Sequence, residues 1–179
     1  MDLNRLSRGE QIFGVSAALL FLLSFFPLWA KYETSEEAFG QFATSESFSA
    51  WSSAFNFLMK LGLILALIGV IFVIAKAAGA LDNVQMPVSL GLVYLGLAGL
   101  TFLIMLLFVL IGPEESEAGV NFGDLGVEVS RGILLFVGVV LGAGMLFGAF
   151  QHFQQEGGTA AARPSPPPPG PPPAPPPGA

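Results

Sequence analysis

The chain has no cysteine, one histidine and few charged residues, only 11% of its 179 positions. Without cysteine there is no disulfide framework, zinc ribbon, iron–sulfur cluster or thiol nucleophile. With a single histidine, His152, a Ser/His/Asp set has only one possible base. Seven lysines and arginines against thirteen acids give a formal charge of −6. Nucleic acid is excluded as a partner, because phosphate binding needs clustered bases. No cofactor motif, phosphate loop or metal-ligand spacing is present, and the composition points away from an enzyme.

What the chain has is apolar residues, at 53%, with 22 glycines. This is a membrane composition. Val88 to Gly112, between Pro87 and Pro113, contains no charge. At about 1.5 Å per residue, a helix of that length crosses the roughly 30 Å hydrocarbon core of a bilayer. Three further apolar runs flank it. The expectation is an all-α membrane protein, a four-helix antiparallel transmembrane bundle over residues 1–156 with spans at about 11–29, 55–75, 88–112 and 132–150.

Arg5 and Arg8 precede the first run, which closes on Phe25, Phe26, Pro27, Leu28 and Trp29. That end is a poor cleavage site, so the run reads as an uncleaved span and not a secretory signal, with Trp29 at the far interface. The first loop, 31–54, sets Glu33, Glu36, Glu37 and Glu46 against Lys31. Ser35 before two acids reads as the N-cap of a short helix. Phe48, Trp51, Phe55 and Leu58 recur at helical spacing, so the second span reads as starting with an aromatic helix before entering lipid. Ser52, Asn56 and Lys60 then form a polar track, along which Lys60 snorkels outward.

Small residues recur on one face of each span. Gly62, Ala66, Gly69 and Val73 do so in the second, and Gly91, Tyr94, Ala98, Thr101 and Met105 in the third. The fourth holds two interlocked G-x-x-x-G motifs, Gly138 with Gly142 and Gly144 with Gly148, which read as packing faces within the bundle. His152 lies just beyond this span and reads as interfacial. The second outer loop, 113–130, carries Glu114, Glu115, Glu117, Asp124 and Glu128 among glycines. It lacks the regular oxygen-ligand spacing of a calcium loop and reads as a solvated acidic rim. Leu125, Val127 and Val129 alternate as in one short strand.

From Gly157 the composition turns to Gly, Ala and Pro, with eleven prolines after Arg163. Residues 157–179 read as a disordered, extended tail in which Arg163, Pro166 and Pro169 fit a basic-x-x-Pro-x-x-Pro ligand pattern. No Asp or Glu falls within the expected spans, so a carboxylate for a proton relay has no candidate there. The basic residues ahead of the first span place both termini in the cytosol.

Leu6, Ser7, Arg8, Gly9 and Glu10, followed by an apolar run closing on Phe26, Pro27, Leu28 and Trp29, resemble the start of small uncharacterised four-span membrane proteins of actinobacteria and related high-GC bacteria. The resemblance implies a bacterial cytoplasmic membrane and a low-complexity cytoplasmic extension, and carries no activity. The functional expectation is a non-enzymatic accessory or scaffold subunit that meets partners through its outer loops or its tail. The alternative is a small channel or transporter whose acidic rims attract cations to a pathway lined by Lys60, Tyr94 and Thr101.

Overall fold

The computed structural model describes residues 6–34, 44–53, 55–81, 84, 88–112, 116–117, 120–121 and 127–161. It is mostly helical: α1 (Arg8–Leu23), α2 (Phe57–Ala77), α3 (Leu90–Ile111) and α4 (Ile133–Ala161). By length and composition α2, α3 and the part of α4 up to Gly157 can each cross a membrane. The helices close a ring in chain order, each packed on its sequence neighbours, and α4 packs back on α1.

Local chemistry sets the helix ends. Ser7 and Glu10 form a reciprocal capping box at the start of α1. Asn56 accepts from the Leu58 N–H at 3.0 Å and starts α2. Gly112, at φ 95°, ends α3 in a backbone conformation that disfavours a side chain. The Arg131 guanidinium donates to the Leu110 carbonyl at 3.1 Å, taking up one of the acceptors that the end of α3 leaves open.

Two helix boundaries differ from the hydropathy reading. α1 stops at Leu23, short of the expected Trp29, although the apolar run continues. The Ser24 hydroxyl bonds back to the Phe21 carbonyl at 2.6 Å, and the Trp29 indole donates to the Leu23 carbonyl at 2.8 Å. Pro27 supplies no N–H to extend the ladder. Trp29 is accordingly buried in the bundle, where an interfacial belt residue was expected. α4 runs eleven residues beyond the expected Phe150, to Ala161, since nothing from Gln151 to Glu156 breaks a helix. The tail from residue 162, with Arg163, Pro166 and Pro169, lies outside the described residues, as does the expected cap at Ser35.

The connections that follow α1 and α3 bring β-structure to a fold expected to be all-α. β1 (Ala30–Thr34), β2 (Ser45–Phe48) and β5 (Val127–Arg131) form an antiparallel sheet in the order β2-β1-β5, while β3 (Ser116–Glu117) pairs with β4 (Val120–Asn121). Ala30 stands opposite both Phe48 and Arg131, so β1 ties the first loop to the second. The sheet is fastened to the bundle by backbone bonds: Trp29 N–H to the Phe48 carbonyl at 3.0 Å, Gly132 N–H to that of Trp29 at 2.9 Å, and Leu134 N–H to that of Leu28 at 3.1 Å. At Gly132 a Cβ would stand 2.1 Å from the Leu28 carbonyl oxygen, and only glycine allows this approach.

The aromatic approach to α2 is therefore not a helix. Phe48 ends β2, and Trp51 and Phe55 lie in the turns that follow. Ser52 donates to the Ser49 carbonyl at 2.8 Å, the local competition by which serines oppose helix. The indole of Trp51 stacks on Phe25, with centroids 5.8 Å apart, and donates to Ser24. With Ser52 bent back and Asn56 used as a cap, the expected polar track toward Lys60 does not form.

Candidate functional site

The opposite end of the bundle, where the first turns of α1 and α3 meet the last turns of α2 and α4, holds a buried ionic cluster. It begins with the capping box: Glu10 Oε2 accepts from the Ser7 N–H at 2.8 Å, and Ser7 Oγ accepts from the Glu10 N–H at 3.2 Å. An acid in a first turn is favoured by the helix dipole. Glu10 is also fully buried, and the Lys76 ammonium from the last turn of α2 donates to its Oε1.

α4 supplies the rest. His152 and Glu156, one turn apart, point to the same place. His152 Nε2 lies 3.2 Å from Glu156 Oε1 and 3.5 Å from Glu10 Oε1. These are ion-pair distances, off the line of a hydrogen bond. The other ring nitrogen, Nδ1, is 3.0 Å from Ser7 Oγ. Glu156 Oε2 accepts from the Gly91 N–H at 2.9 Å. Ser89, the N-cap of α3, makes no side-chain cap bond, so Glu156 caps α3 from a neighbouring helix.

Glycine makes this convergence possible. At Gly9 a Cβ would stand 2.5 Å from the Gly148 carbonyl oxygen and 2.7 Å from the His152 nitrogen. α1 and α4 thus cross backbone against backbone, which sets Ser7 and Glu10 beside His152. Tyr94 of α3 closes the floor. Its ring lies edge-on to His152 at 5.6 Å and against Phe13 at 4.8 Å, and its hydroxyl is buried without a hydrogen-bond partner.

The other small residues of the expected packing faces lie at helix contacts. Gly62 meets Ile104 and Met105, Gly69 lies under the Phe13 ring, and Gly91 meets Glu156. Gly138 lies under Trp29, Gly142 on Phe102, Gly144 on Ser16 and Gly148 on Gly9. Ala66 and Ala98 are fully buried. Lys60, Tyr94 and Thr101 are not gathered into one place. Thr101 makes a long 3.5 Å bond to the Gly62 carbonyl, Tyr94 lies two turns along α3 at the cluster, and Lys60 is half-buried in the first turn of α2.

From sequence, His152 is expected at the interface and no acid within a span. His152 is 5% exposed, and Glu10, in the first turn of α1, is buried beside it. Ser7-x-x-Glu10 ahead of an apolar run was the available signal, a capping box that fixes where α1 starts and turns the carboxyl inward. The His152-x-x-x-Glu156 pair was a second. Comparison with protein-family models, curated proteins and solved structures gives no match to this chain.

Proposed function

We propose that this is a non-enzymatic membrane protein in which all four helices cross the bilayer, an accessory or scaffold subunit of a bacterial cytoplasmic membrane. Depth supports the four crossings. α1 has 16 residues, about 24 Å of helix, short for a span alone. Its first turn is level with the end of α2, the start of α3 and the His152–Glu156 turn of α4 at the cluster, and Leu28 and Trp29 are level with Gly132 at the sheet. Exposed apolar side chains continue around that end, with Phe25, Phe26, Phe57, Leu110, Ile111 and Ile133 forming a belt below the sheet. Such a belt is what lipid covers.

The observation that carries the scaffold reading is the filled interior. Trp29, Tyr94, Phe13, Phe55, Met59, Met105 and Met145 are all fully buried, and glycines bring the helices into close contact. This supports an anchoring bundle over a conducting one. On this reading the acidic outer loops, drawn together by the sheet, and the proline-rich cytoplasmic tail are the surfaces that meet a protein partner. The test is ion flux in liposomes together with partner capture from native membranes. No flux, and a captured partner lost on removing residues 162–179 or on neutralising the loop acids, supports the scaffold. Flux abolished by Lys60→Leu in a folded protein overturns it in favour of a channel.

A further inference from the structure

We propose that the cluster end of the bundle binds one anionic phospholipid, with its phosphate at Arg8 in a hollow between α1 and α4 and an acyl chain in the apolar groove between α1 and α2. This site rests on the reading of α1 as a crossing helix, which puts Arg8 at headgroup depth. Charge favours an anion there. Among the described residues, two lysine or arginine side chains stand at this end. The Lys76 ammonium is held by Glu10, while Arg8, exposed on the outer side of α1, has no ion pair. Arg8 lines a hollow of about 410 Å³ with Gln151, Gln154 and Gln155 of α4. The glutamines bring amide groups and no charge, and no acid lines the hollow. Glu156, next in the chain, is turned instead toward Gly91 and His152.

Within one or two helical turns of Arg8 the surface becomes apolar. Ile12 and Val15 follow Arg8 on the same face of α1, and with Gln11 and Ser16 they line a shallow depression. Gln11 and Val15 also edge a groove of about 370 Å³ between α1 and α2. Its walls include Gly14 and Ala18 on α1 and Val70, Val73 and Ile74 on α2. The two small residues leave the slot open. A Cβ at Gly14 would stand 2.9 Å from Val73 Cγ1, so contact between the helices closes the floor. Hollow, depression and groove thus follow one another around and down the outer face of α1.

Together these features select the occupant. A free phosphate would pair with the guanidinium but make no use of the groove. A zwitterionic phospholipid would bring its own ammonium beside Arg8, where no carboxylate lines the hollow to receive it. A second copy of the chain seated in the groove would make no use of Arg8. A phospholipid of net negative charge uses both parts. A guanidinium matches phosphate oxygens two at a time, and a base at the end of a membrane helix attracts anionic lipid. The acyl chain then leaves the headgroup within reach of the groove, since one turn of helix is about 5.4 Å.

The test is native mass spectrometry of the full-length protein in detergent with an equimolar mixture of phosphatidylglycerol and phosphatidylcholine. The expected result is one phosphatidylglycerol retained in preference to phosphatidylcholine, and not displaced by excess glycerol phosphate. Arg8 and Val15 are exposed, so changing them leaves the packing in place. Arg8→Gln should lower the preference about fivefold, and Val15→Trp, which fills the mouth of the groove, should lower retention of both lipids. Lys31→Gln, exposed on the sheet at the other end, should change neither. No preference for phosphatidylglycerol overturns the proposal, as does an equal fall with Lys31→Gln, full retention by Val15→Trp, displacement by glycerol phosphate, or a dimer without lipid. Cysteine labelling that shows α1 outside the bilayer overturns this site together with the four-crossing reading. With α1 crossing, the lipid results overturn the site alone.

Discussion

The Lys76 ammonium donates to Glu10 Oε1 and joins the last turn of α2 to the first turn of α1, 66 residues apart in sequence. Glu10 is fully buried while Lys76 keeps a quarter of its side-chain surface. Removing only the base should therefore cost more than removing both groups. Lys76→Met is expected to destabilise the bundle by about 3 kcal/mol, by stranding a buried carboxylate, and the further change Glu10→Leu to recover a large part of that. A double-mutant cycle in reversible unfolding checks it. Additive losses would contradict a coupled pair.

Gly148 and Gly96 make opposite predictions for the same substitution. A Cβ at Gly148 would stand 2.6 Å from both the Gly9 carbonyl oxygen and the Phe13 nitrogen, backbone atoms that cannot swing aside. A Cβ at Gly96 meets nothing within 4 Å. Gly148→Ala should cost about 2 kcal/mol or more through separation of α1 from α4. Gly96→Ala should be neutral or stabilising by up to about 1 kcal/mol. Thermal unfolding of the two variants in the same lipid compares them directly.

Trp29 fills the bundle below the sheet, over Gly138, with its indole N–H on the Leu23 carbonyl. Trp29→Phe keeps most of the apolar volume and removes one of two donors on that carbonyl, the Phe26 N–H remaining at 3.1 Å, for an expected loss of about 1 kcal/mol. Trp29→Ala also opens a cavity and should lose about 3–5 kcal/mol. If unfolding instead shows both changes to be mild, Trp29 lies in an interfacial belt and not in the core.

The sheet register can be read by cross-linking, because the chain offers a background free of cysteine. Lys31 stands opposite Ser47 on one side and Ser130 on the other. Directly opposed residues of antiparallel strands have Cα atoms about 4.5–5.5 Å apart, within disulfide reach. The pair Lys31→Cys with Ser130→Cys should oxidise readily, and so should Lys31→Cys with Ser47→Cys. Efficient cross-linking of Lys31→Cys to a cysteine at exposed Ser53 instead would contradict this register.

The parts of the fold legible in sequence are those that lipid dictates. α2, α3 and the apolar portion of α4 follow from long apolar runs, and Val127 to Val129 alternate visibly enough to suggest a strand. What misled was periodicity without context. Phe48, Trp51, Phe55 and Leu58 have helical spacing, yet the intervening serines favour turns, and Phe48 is taken by pairing with Ala30. The end of α1 was hidden because hydropathy does not register that a serine and an indole capture the last carbonyls. β1 and β2 were missed because four or five residues of mixed polarity inside an acidic loop carry little signal of their own. At the cluster, Glu10, Lys76 and His152 each have a bland local reading as first-turn acid, last-turn base and interfacial ring. Their meeting depends on the close crossing at Gly9 and Gly148. The G-x-x-x-G motif was visible in sequence, but its partner on α1 was not.

If α1 crosses the membrane with the other three helices, the sheet and the ionic cluster face opposite compartments. Single cysteines at Arg8, Ala80 and Ser47, all exposed positions, can be labelled on intact cells with a membrane-impermeant maleimide. The expected result is Ser47→Cys labelled at once, and Arg8→Cys and Ala80→Cys labelled only after permeabilisation. Labelling of Arg8→Cys and Ser47→Cys from the same side would show that α1 does not cross, and would contradict the account.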